Sequence, residues 1–63
     1  MRTNRPSYRL TCDDAVVIWH LHWEGEFQNR IAAQFDVNPG RVNEVLKGRR
    51  FPESRAIAMR TRF

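Results

Sequence analysis

The chain has 63 residues and a net charge of +4 at pH 7, from 11 lysines and arginines against 7 acidic residues. A chain of this length forms one small domain with a modest core. Its one cysteine excludes an internal disulfide, and no apolar run is long enough to span a bilayer. We therefore expect an intracellular, cytoplasmic protein. Because the cations are concentrated in residues 1–10 and 37–63, the charge pattern favours a polyanionic partner.

Residues 1–10 predict a flexible basic arm that precedes a single domain over residues 11–63. Pro6 and Ser7 disfavour a helix in this segment, and its apolar residues show no periodicity. Two interpretations stay open. The arm is either a disordered terminus, or a segment whose Arg2 and Arg5 reach phosphates or a minor groove.

The first helix is predicted from Thr11 to about Glu24. Thr11 and Asp14 have the spacing of a capping box, and Gly25 is placed to end the helix. This helix has apolar residues on almost every side. We expect its inward stripe to consist of Ala15, Ile18, Trp19 and His22.

A core of three helices covers only one side of this first helix, which leaves apolar residues for a second contact. We expect a homodimer, with an interface formed by Val16, Val17, His20 and Trp23. The alternative is a monomer in which the last helix folds back over these four interface residues.

The histidines and the cysteine do not predict a metal site. His20 and His22 point to nearly opposite sides of a helix, and no CxxC or HxxxH spacing exists. The sequence also lacks a Gly-rich phosphate loop, paired carboxylates in a shared pocket and a basic partner near Cys12. We therefore expect no metal, no cofactor, no small-molecule ligand and no enzymatic activity.

Residues 28–47 predict two short helices joined by a tight turn. The first begins near Glu26 or Phe27 and turns four apolar residues inward, namely Phe27, Ile31, Ala32 and Phe35. The second spans residues 39–47, with an inward face of Val42, Val45 and Leu46. Asn38 is a suitable N-cap for this second helix, and Pro39 fits its first position.

This stretch resembles the helix-turn-helix of small DNA-binding domains, as found in phage and bacterial transcriptional regulators and in mobile-element modules. The resemblance rests on the small residue Ala32 and on the apolar positions Ile31, Phe35, Val37, Val42 and Val45. The family usually has glycine in the turn, at positive φ. Asp36 occupies that position here, and aspartate tolerates the left-handed region better than most residues.

The resemblance implies that residues 39–47 enter the major groove of double-stranded DNA. The expected base-reading residues are Arg41, Asn43, Glu44 and Lys47, because Arg pairs with guanine, Asn with adenine and Glu with cytosine. The expected DNA-backbone contacts are Gln28, Arg30, Asn38, Gly40, Arg49 and Arg50. Two alternatives stay open. Glu44 pairs along the helix with Arg41 or Lys47. The basic turn Lys47-Gly48-Arg49-Arg50-Phe51, which we expect to clamp phosphates, is instead an ordinary solvated loop.

Pro52 opens a short fourth helix. The sequence thus predicts an all-α domain, with a three-helix helix-turn-helix core and a short C-terminal fourth helix. The expected function is that of a sequence-specific transcription regulator, homodimeric and nucleoid-associated. The alternatives are an architectural DNA binder and a protein-interaction module that works through the first helix.

Overall fold

A computed structural model describes residues 9–61 of the chain. Within this range the protein is all-α, as predicted, with four helices: α1 (Cys12–Trp23), α2 (Gln28–Phe35), α3 (Pro39–Leu46) and α4 (Ser54–Arg60). No helix in the described part is long and apolar enough to cross a membrane. The predictions for Arg2, Arg5 and the rest of residues 1–8 lie outside the described residues.

The ends of α1 follow from local chemistry. Thr11 Oγ1 accepts a hydrogen bond from the Asp14 amide at 3.2 Å, and the Asp14 carboxylate accepts one from the Thr11 amide at 3.0 Å. This capping box confirms the predicted start of the helix. Gly25, at φ 95°, follows the C-cap residue Glu24 and lets the chain reverse, a conformation that glycine adopts without a steric penalty.

The buried face of α1 contains Ala15, Ile18 and Trp19, as predicted, but not His22. His22 is exposed, and its ring stands edge-on to the Trp19 indole with the centroids 5.9 Å apart. The imidazole therefore stays at the margin of the core.

Helix α2 begins at Gln28, one or two residues later than predicted, and this shift changes the position of Phe27. Phe27 is the N-cap residue, with extended backbone angles, and its carbonyl accepts hydrogen bonds from the amides of Arg30 and Ile31. Because it precedes the helix, its side chain falls outside the inward stripe and is 70% exposed. The prediction that Phe27 belongs to the core is wrong, whereas Ile31 and Ala32 are buried as expected.

The turn between α2 and α3 has the predicted left-handed residue. Asp36 adopts φ 56° and ψ 45°, so that the Val37 amide reaches the Ala32 carbonyl at 3.0 Å. This hydrogen bond closes the end of α2 in the manner of a Schellman motif. The chain then enters α3 through Asn38, whose Oδ1 accepts a hydrogen bond from the Gly40 amide at 2.8 Å.

Helix α4 packs mainly against α1. His20 Nε2 lies 3.1 Å from the Ala58 carbonyl, and Trp19 Nε1 donates a hydrogen bond to Ser54 Oγ at 3.1 Å. The core lies around α1, which contacts each of the other three helices, and it includes Leu10 and the buried Ala58 of α4.

This packing corrects the expected open face on α1. Val16 and Trp23 are half-buried against the core, and His20 is hydrogen-bonded to α4. Of the four residues expected at a dimer interface, only Val17 is exposed. Helix α4 thus contacts α1 at His20, as the monomer alternative expects, and the homodimer stays a prediction.

Candidate functional site

Helix α3 has an apolar face and a polar face. Val42 and Val45 have no exposed surface, whereas Arg41, on the flank of the helix, is exposed. Asn43 and Glu44, both expected to read bases, are half-buried. Lys47 is exposed and serves as the C-cap residue, since α3 ends at Leu46 rather than at Lys47.

The structure brings three of the predicted site residues into one ionic cluster. Glu44 Oε1 accepts hydrogen bonds from Arg50 Nε at 3.0 Å and from Arg41 Nη1 at 3.4 Å. The hydrogen bond from Arg50 is the main reason why the pKa of Glu44 is lowered, and the bond from Arg41 adds to it. Glu44 is therefore ionised at neutral pH and shared by two guanidinium groups.

Main-chain contacts hold Arg50 beside α3. The Glu44 carbonyl accepts hydrogen bonds from the amides of Arg49 at 2.9 Å and Arg50 at 3.3 Å. This return of the chain depends on Gly48, whose φ of 78° suits glycine, after which the basic turn of residues 47–50 lies against the end of α3. Glu44 consequently contacts the turn through both its backbone and its side chain.

The N-terminal end of α3 carries an open depression of about 220 Å³, lined by Asn38, Gly40, Arg41 and Glu44. Asn38 uses its side-chain oxygen to cap the helix. Its side-chain amide nitrogen is then the donor left for the expected contact with the DNA backbone. A side chain at position 40 would place its Cβ 3.2 Å from that capping oxygen, a tight contact from which the Asn38 side chain would have to shift by a few tenths of an ångström.

The remaining candidates for backbone contact lie at the surface. Gln28 is the first residue of α2 and is exposed, as are Arg30 and Arg49. Arg55 of α4, which the sequence did not single out, lies with its guanidinium carbon 5.7 Å from the centroid of the Trp19 ring. A cation over an indole face stabilises the packing of α4 on α1, so Arg55 has a structural role.

The contact between Glu44 and Arg50 was missed by the sequence analysis. Helical periodicity relates residues three or four positions apart, and these two are six apart, across a turn. Gly48 was the available signal, because a glycine just after a helix allows the chain to fold back on the last turn.

Comparison of the chain with protein-family models, with curated proteins and with solved structures finds no match. Within residues 9–61, no group of three or more histidine, cysteine or acidic side chains is placed to hold a metal ion. The interpretation of the site therefore rests on its own geometry and charge.

Proposed function

We propose that α2, the turn at Asp36 and α3 form a helix-turn-helix, and that the protein is a sequence-specific regulator of transcription that binds double-stranded DNA. The observation that carries this proposal is the distribution of side chains on α3: Val42 and Val45 are fully buried, whereas Arg41 is exposed and shares the Glu44 carboxylate with Arg50 of the basic turn. A short helix held firmly by its apolar face and edged by cations suits insertion into a major groove.

The charge distribution supports a nucleic-acid partner. Residues 37–63 contain seven cations against Glu44 and Glu53, whereas residues 11–36 contain five acids and Arg30. If about six phosphates are neutralised, the logarithm of the binding constant falls with a slope of roughly −5 against the logarithm of the salt concentration.

Within this proposal, the exposure of each side chain indicates its role in DNA binding. Arg41 and Lys47 have exposed side chains and reach base edges or adjacent phosphates. Asn43 is half-buried and contacts only a base that approaches the helix closely. Gln28, exposed at the start of α2, and Arg49, exposed in the turn after α3, hold the DNA backbone.

Selection of bound duplexes from a randomised pool tests the proposal. We expect an enriched sequence that Arg41→Ala and Asn43→Ala variants no longer prefer, and that Gln34→Ala, a change at an exposed α2 residue outside the proposed site, retains. The homodimer stays a prediction, which the symmetry of the enriched site tests. A palindrome with half-sites about 34 Å apart supports it, and a site without symmetry supports a monomer.

Two outcomes would overturn the proposal. Binding without enrichment would indicate an architectural DNA binder, which has the same salt dependence but no base preference. No binding even at low salt would leave the protein-interaction alternative, with Val17 on α1 as the residue to examine first.

A further inference from the structure

Glu44 is an unusual residue for a surface that meets phosphates. Its carboxylate lies on α3, the proposed recognition helix, within 3.4 Å of two arginines on the same surface. An acid in this position repels a polyanion and occupies donors that would otherwise bind phosphates.

Stability alone does not account for the cluster. The side chains of Arg41, Glu44 and Arg50 are 54%, 35% and 42% exposed. Ion pairs this exposed contribute little to folding, because solvent screens them and their side chains lose conformational entropy. The carboxylate does, however, fix the direction of both guanidinium groups, since a single oxygen accepts from Arg50 Nε and from Arg41 Nη1.

We propose that Glu44 determines specificity by restraint: it holds Arg41 and Arg50 beside α3 and withdraws their charge from generic phosphate binding. This inference rests on the proposed function. DNA of any sequence then competes with Glu44 for the two arginines. A cognate sequence gains from the restraint, because Arg41 is already oriented when it meets its base, whereas a random sequence only loses phosphate affinity.

The test compares the wild-type protein with Glu44→Gln, which keeps the side-chain length and removes the charge. Each protein is titrated against the duplex selected by the wild type and against a random duplex, over a series of salt concentrations. Glu24→Gln is the matched control, because it removes one negative charge at an exposed residue outside α3. Near-ultraviolet circular dichroism of the tryptophans verifies that each variant is folded.

The expected result for the random duplex follows from counterion release. Arginines released by Glu44→Gln neutralise about one more phosphate, which steepens the salt slope by about 0.9 and tightens binding about tenfold at 0.1 M salt. Binding to the selected duplex gains less, because the orientation of Arg41 is lost. The ratio of the two affinities therefore falls severalfold, and Glu24→Gln leaves that ratio unchanged.

Glu44→Asp separates restraint from charge. It keeps the negative charge and shortens the side chain, so that the 3.0 Å contact with Arg50 Nε is lost. We expect weaker binding to the selected duplex and random-duplex binding close to that of the wild type. An unchanged ratio in both Glu44 variants, with the wild type still binding its selected site, would overturn this inference alone. Absence of duplex binding by the wild type at low salt would overturn the proposed function and, with it, this inference.

Discussion

Trp19 and Ser54 form a buried hydrogen bond that joins the middle of α1 to the first residue of α4. The indole Nε1 donates to Ser54 Oγ at 3.1 Å, and Ser54 Oγ donates in turn to the Phe51 carbonyl at 2.7 Å. Ser54 has no exposed surface. This short relay satisfies the polar atoms of Trp19 and Ser54 and fixes where α4 begins.

Replacing Ser54 with alanine leaves the Trp19 indole N–H buried without its acceptor. We expect the free energy of unfolding to fall by about 1–3 kcal/mol, the usual penalty for an unsatisfied buried donor. Urea denaturation followed by tryptophan fluorescence measures this change. Gln34→Ala is the control and should change stability by less than about 0.5 kcal/mol, because Gln34 is exposed. A Ser54→Ala variant as stable as the wild type would contradict a structural role for the relay.

Asp36 carries a backbone cost that glycine would remove. A side chain in the left-handed region costs about 1–2 kcal/mol, and less for aspartate, while the greater freedom of glycine in the unfolded chain offsets about 0.4–1 kcal/mol of any gain. We therefore expect Asp36→Gly to raise the free energy of unfolding by at most about 1 kcal/mol. Asp36→Val should lower it, because β-branched residues rarely tolerate positive φ.

Thermal and urea unfolding of these two variants, beside the wild type, measure both effects. An Asp36→Gly protein less stable than the wild type would show that the aspartate side chain stabilises the turn by more than its backbone conformation costs.

Glu44 should make the stability of the protein depend on acid pH. Arg50 and Arg41 lower the pKa of Glu44 in the folded state. The stabilisation is therefore fully present above the ordinary glutamate pKa of the unfolded chain, and is lost as the pH falls through the lower pKa of the folded state. Comparison of the wild type with Glu44→Gln should show the wild type more stable at neutral pH, with the difference closing in acid.

Urea unfolding of both proteins at several pH values between neutrality and strong acid provides this comparison. Because the two proteins share every other titrating group, their difference isolates Glu44. A difference that is independent of pH would mean that the carboxylate does not pair with the arginines in solution.

Much of the fold was predictable because its signals are local. The capping box of Thr11 and Asp14, the left-handed Asp36 and the Asn38 cap each depend on residues within a few positions of one another. The buried stripe of Val42 and Val45 follows from helical periodicity for the same reason.

The sequence predicts poorly the positions at which tertiary packing determines whether a side chain is buried. Phe27 shares its pattern with core residues, but the start of α2 at Gln28 leaves it outside the helix. His22 shares the helical spacing of the core residues but is exposed, with its ring edge-on to the Trp19 indole. The hydrogen bond from Trp19 to Ser54, which joins α1 to α4, links residues 35 positions apart and has no periodic signal.

At the candidate site, the sequence predicts which side chains are exposed better than it predicts which of them contact one another. The exposed positions of Arg41, Lys47 and Arg49 agree with the sequence analysis. The pairing of Glu44 with Arg41 was one of its open alternatives, and the contact with Arg50 across Gly48 was not foreseen. Sequence spacing within a helix does not reveal how a turn folds back on it.

The central claim is that duplex DNA binds along α3 and the turn that follows it. The most direct test is a series of ¹⁵N–¹H correlation spectra of the labelled protein, recorded as the selected duplex is added. We expect the amide signals of residues 40–50, with that of Gln28, to shift or broaden most, and the amide signals of α4 to change little. Changes concentrated on α1 around Val17 and on α4, with the amide signals of residues 40–50 unaffected, would contradict the claim.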